Sequence, residues 1–134
     1  MGQENELPEA CPPDGHWPAR GAFYRLTRPS LKIGEVPEDI DWVLPLHTKK
    51  SAAYLKHDEC DAYSYSLFDD IEPLRIARLA SAWARRKSIS RVVLPEGSGY
   101  LLKTESELAD GHHDWWPVPA QCIPGAVVVE ERAA

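Results

Sequence analysis

Twelve prolines are spread through the 134 residues of this chain, and they restrict its fold more than any other feature. Each holds φ near about −65° and removes a backbone donor, so the elements between them must be short and joined by fixed corners. A helical bundle is excluded. Pro73 is the proline that falls within a helical pattern, and it stands in the first turn, where a missing N–H costs nothing. The length is that of one domain, large enough to bury about two-thirds of the surface of its unfolded chain.

Residues 1–20, "MGQENELPEACPPDGHWPAR", are acidic and proline-rich, and read as a flexible arm before a single domain at 21–134. Ala22–Leu26 is a strand, residues 42–48 ("WVLPLHT") a short edge strand, and residues 50–60 a helix. The clearest element is "DDIEPLRIARLASAWARRK", a helix over about 70–87 capped by Asp69 or Asp70. Its Ile76, Leu79 and Trp83 fall at i, i+3 and i+7, a stripe widened by Leu74, Ala77, Ala80 and Ala84, so Leu79 and Trp83 are expected in the core. "SRVVLPEG" and "SGYLLKT" follow as strands, with Pro95, Glu96 and Gly97 marking a hairpin or a corner. "ESELADGHHD" reads as a polar loop, "DWWPVPA" as irregular extended chain, and "GAVVVEER" as a last strand. Runs of strands and helices in this order predict α+β: a split, twisted, mainly antiparallel sheet flanked by two helices.

The net charge of −6 argues against nucleic acid as a partner. A local basic run survives in Arg75, Arg78, Arg85, Arg86, Lys87 and Arg91; it reads as a solvated helix face or, alternatively, a site for phosphate or an acidic partner. Cys11, Cys60 and Cys122 are odd in number and form no CxxC pair, which favours reduced thiols in the cytoplasm over a disulfide. No apolar run suggests a membrane span. Glycine-rich phosphate loops, a GxSxG elbow and HExxH are all missing. His57 with Cys60, and His112, His113 and Asp114, are two donor groups, but their spacing matches no zinc pattern, so no metal is expected.

What remains is Arg25, a cation at the centre of the apolar strand "GAFYRLT". By alternation it shares a face with Phe23, where an unpaired charge is too costly, so it must be paired or lie at the rim of a cleft. Downstream stand His47 and Thr48 at a strand-to-helix junction, Tyr54 on the helix, and the carboxylates Glu107 and Asp114. A guanidinium holds phosphate, a tyrosine stacks on a planar ring, and a carboxylate steadies a cationic ribose. This layout resembles the ADP-ribosyltransferase-like fold of NAD-consuming bacterial toxins, with "FYRLT" as the first-strand arginine motif and "LPLHTKKSAAY" as the second strand and its helix. The resemblance implies NAD as cofactor, with Arg25, Thr48 and Tyr54 binding it. His47 and Asp114 or Glu107 would then act in cleavage of the nicotinamide–ribose bond or in ADP-ribose transfer to an unidentified acceptor. The family's Ser-Thr-Ser triplet is missing and no glutamate stands at Asp114, which leaves a catalytically silent relative as an alternative.

A second class competes: a small acidic partner-binding protein of the immunity or inhibitor type, without catalysis. Tryptophans favour protein interfaces. Trp42, Trp115 and Trp116 around a concave pocket with Arg25 would speak for the enzyme, and a flat exposed patch of them for the binder.

Overall fold

The computed structural model describes residues 11–38, 41–42, 60, 63–118 and 125–132. Its strands are β1 (Trp17–Pro18), β2 (Gly21–Thr27), β3 (Tyr65–Phe68), β4 (Ser88–Leu94), β5 (Gly99–Lys103), β6 (His112–Pro117) and β7 (Gly125–Glu130). They form one seven-stranded sheet in the order β1-β5-β6-β3-β2-β4-β7, with every pairing antiparallel. Two helices, α1 (Ile71–Ala80) and α2 (Ala82–Arg85), complete the α+β fold among the described residues.

Alternation along the strands divides the core between the two faces of the sheet. On one face Phe23, Trp42, Tyr65, Leu67, Val92, Leu94, Leu101 and Trp115 form the larger cluster. On the other, Phe68, Leu74 and Ile89 pack with Tyr24, Leu26 and Ile71 beneath α1. Each such large apolar side chain contributes about 1.5–3 kcal/mol when fully buried.

α1 starts where its cap demands: the Asp70 carboxylate accepts from the amide of Glu72 at 3.0 Å. Contrary to the stripe expected from the sequence, the helix buries Leu74, Ala77 and Arg78. Leu74, Ala77 and Arg78 are at i, i+3 and i+4 and share one face, whereas Ile76 and Leu79 fall on the far side. Ile76, Leu79 and Trp83 are accordingly 64, 75 and 59% exposed. The helix also does not run through to residue 87. Ser81 adopts extended angles, φ −119° and ψ 121°, and its hydroxyl caps the short α2 by accepting from the amide of Ala84. The break restarts the helical phase, so the stripe expected of one continuous helix does not exist. Arg75 and Arg78 do not form a free basic face: both pair with Glu130, tying α1 to β7.

β4 and β5 are far apart in the sheet, so Pro95–Gly97 makes a corner between them and not a hairpin. "HHDWWP" is the buried strand β6, paired on both sides, where a polar loop running into irregular chain is expected from the sequence. Its close approach to β5 requires Gly99 (φ +112°), where a Cβ would lie 2.0 Å from the Trp116 carbonyl oxygen. The strand Tyr65–Phe68 carries no signal that the sequence reading detects.

The segment 11–20 is held to the body at several points. Trp17 and Pro18 pair with Leu101 and Tyr100, Ala19 is buried, and Cys11 forms a disulfide with Cys60. That bond corrects the expectation of reduced thiols for these two cysteines. The expected strand beyond Trp42, the helix at 50–60, and Cys122 lie outside the described residues.

Candidate functional site

The site arises where the sheet splits. β2 and β3 are joined only at Tyr24 and Phe68 among the described residues, and past that pair they diverge. A cleft of about 380 Å³ opens there, lined by Arg25, Leu26, Thr27, Arg28, Asp41, Ser66, Phe68, Trp83, Lys87, Ser106, Leu108 and His112. Alternation explains the mixture: Ser66, Phe68 and His112 come from the helix face, whereas Arg25 and Thr27 come from the other.

Arg25 bridges the gap. Its Nη1 donates to the carbonyl of Ser66 at 3.0 Å and its Nη2 to that of Asp41 at 3.3 Å. The guanidinium carbon lies 5.1 Å from the ring centres of both Trp42 and Tyr65, so two aromatic faces attract its charge. Burial lowers the Arg25 pKa from its ordinary value to about 10, against the opposing pull of Tyr65 and Asp41. It is still a cation at neutral pH. Beside it, the Asp41 carboxylate accepts from the amide of Arg28 at 3.1 Å and from its Nε at 3.1 and 3.2 Å. Lys87 lies 5.2 Å from the centre of the exposed Trp83 ring at the edge of the cleft. Three cations, Arg25, Arg28 and Lys87, thus face the cleft against one carboxylate, Asp41, in a chain whose net charge is −6.

The far wall is a hydrogen-bonded row. His112 Nε2 meets Ser66 Oγ at 2.9 Å, and its Nδ1 meets Thr104 Oγ1 at 2.8 Å. The Asp114 carboxylate accepts from Thr104 Oγ1 at 3.1 Å and from Ser64 Oγ at 3.2 Å. Burial lowers the pKa of His112, and His113 adds to that; Asp114 and a backbone hydrogen bond with Thr104 oppose it. The imidazole is neutral near pH 7.

Of the residues nominated from sequence, Arg25 lines the cleft. Asp114 is close by but stands behind Thr104 and Ser64. Glu107 is exposed on the loop between Ser106 and Leu108 and does not line it. His47, Thr48, Tyr54 and His57 lie outside the described residues. Cys60 is bonded to Cys11, and no group of three or more donors suited to a metal occurs among the described residues. Trp42, Trp115 and Trp116 form neither an exposed patch nor the lining of the cleft. They are buried, with the indole N–H of Trp115 donating to Ser98 O and that of Trp116 to Cys60 O.

Sequence reasoning missed Arg28, Asp41, Ser66 and Thr104, and had Lys87 only as part of the basic run offered as a solvated face or a phosphate site. Ser64 and Ser66 in "SYSLF", and His112 and Asp114 in "HHDWWP", stand two positions apart. That period is the available signal that one face of these strands carries a polar row. No protein-family model, curated protein or solved structure matches the chain. No helix of the described residues is long and apolar enough to cross a membrane.

Proposed function

We propose that the cleft between β2 and β3 binds a small anionic ligand of the nucleotide class, with NAD as the candidate that the sequence resemblance implies. The observation that carries this reading is the excess of cations on the cleft wall in an otherwise acidic protein. Arg28 and Lys87 would meet phosphate oxygens, and the exposed Trp83 ring would offer a stacking surface at the edge. Transfer of ADP-ribose through Asp114 or Glu107 has less support, because neither carboxylate lines the cleft. The Cys11–Cys60 disulfide favours an oxidising compartment over the cytoplasm expected from the cysteine count.

Calorimetry tests the reading. NAD is expected to give a saturable heat, and Lys87→Ala to weaken binding about tenfold, or about 1.4 kcal/mol. No heat from the wild-type protein sinks it.

A second reading, binding of a protein partner without catalysis, is favoured by the exposed apolar side chains of Ile76, Leu79 and Trp83. A partner that binds the wild type but not Leu79→Asp, together with silence toward NAD, would establish it.

A further inference from the structure

The row of polar groups on the cleft wall has a definite proton order. β3 and β6 pair Ser66 with Asp114 and Phe68 with His112, so Ser66, His112 and Asp114 all project from one face. Thr104 follows β5, and its amide donates to the carbonyl of His112 at 3.0 Å, which holds its hydroxyl beside that imidazole. A threonine hydroxyl has a single proton, and a carboxylate only accepts. Because Thr104 Oγ1 donates to Asp114 Oδ2, it must accept from His112, and the imidazole proton therefore sits on Nδ1. Nε2 is then a bare lone pair, 2.9 Å from Ser66 Oγ. Ser66 is exposed while His112 is buried: the hydroxyl is reachable and its acceptor is shielded.

We propose that Ser66 is a nucleophile with His112 as its general base, that Thr104 and Asp114 position the imidazole, and that the substrate is a carboxylic ester bearing a negative charge. Ser66 Oγ attacks the carbonyl carbon while its proton passes to His112 Nε2. The tetrahedral adduct collapses by breaking the bond to the alcohol oxygen, which leaves with the proton from Nε2. Water, deprotonated by the same nitrogen, then attacks the acyl-Ser66 ester, and the carboxylic acid departs as Ser66 recovers its proton. Separation of nucleophile and base by 2.9 Å is within the reach such transfer needs. The imidazolium formed in each half is balanced by Asp114 through Thr104. Arg25, Arg28 and Lys87 supply positive potential for the charge of the substrate and for the oxyanion. The choice of a charged ester rests on the anion-binding reading of the cleft; the nucleophile does not.

The test is covalent labelling with a fluorophosphonate ester, followed by intact mass and peptide mapping. One adduct on Ser66 is expected, lost in Ser66→Ala and formed about 100-fold or more slowly in His112→Gln. Thr104→Val, which removes the link to Asp114 and keeps the shape, is expected to slow labelling and displace its pH midpoint, with Thr104→Ser restoring both. Urea unfolding of each variant separates loss of chemistry from loss of fold, and the exposed Ser66 and Thr104→Ser variants keep the test open if His112→Gln does not fold. No adduct on Ser66 in the wild type, or a labelling rate indifferent to Thr104→Val, overturns the proposal. Adduct formation on Ser66 in a protein that gives no heat with NAD upholds the nucleophile and removes the nucleotide reading.

Discussion

Arg25 donates through Nη1 to the carbonyl of Ser66, across the place where β2 and β3 separate. The side chain of one strand thereby does the work of a missing backbone ladder. The same guanidinium lies over Trp42 and Tyr65, so a cation at the centre of an apolar strand is both paired and part of a cleft wall. Arg25→Ala is expected to lower stability by about 1.5–3 kcal/mol, the range for a hydrogen-bonded charged donor. Arg25→Lys should recover less than half of that, since a point charge cannot reach both carbonyls as a planar fork does. Urea unfolding measures both; a loss below about 0.5 kcal/mol for Arg25→Ala would show that the bridge contributes nothing.

The buried and the exposed side chains of α1 and α2 predict opposite responses to truncation. Leu74 is fully enclosed, and Leu74→Ala should remove about 2–5 kcal/mol. Leu79→Ala and Trp83→Ala should each fall within about 0.5 kcal/mol of the wild type. A large loss at Trp83 in urea unfolding would mean that the ring packs against the body.

The Cys11–Cys60 disulfide closes a loop with a sequence separation of 49. Restricting the unfolded chain over such a loop stabilises by about 4 kcal/mol in the chain-entropy account. The double variant Cys11→Ser, Cys60→Ser should therefore unfold at distinctly lower urea concentration than the oxidised wild type. Coincident transitions would show that the strand pairing of β1 holds the segment unaided.

His112 predicts a pH dependence of definite sign. Its folded pKa is depressed, chiefly by burial, so below the ordinary histidine value of about 6.5 the unfolded chain binds more protons. Stability is then fully present above about pH 6.5 and is lost as the pH falls through the folded pKa. The difference in stability between wild type and His112→Gln, followed by urea unfolding across that window, should shrink as the pH drops. Curves that stay parallel would mean that the fold does not hold this imidazole neutral.

Local chemistry determined a good part of this molecule. The Asp70 cap, the strand around Ala22–Leu26, the last strand at Gly125–Glu130 and the α+β class all follow from residues a few positions apart. Arg25 was legible as a problem, because alternation alone sets it on the face of Phe23. Tertiary structure decided the rest. Which face of α1 is inward depends on what it docks against, and the break at Ser81 destroys the phase that a continuous periodicity assumes. The cleft depends on β3 lying between β6 and β2 and parting from β2 after a single pair. Ser66 meets His112 across 46 residues of chain, and Arg25 meets Ser66 across 41. Periodicity reports which side of a strand a residue occupies; only the order of strands in the sheet selects the residue it meets there.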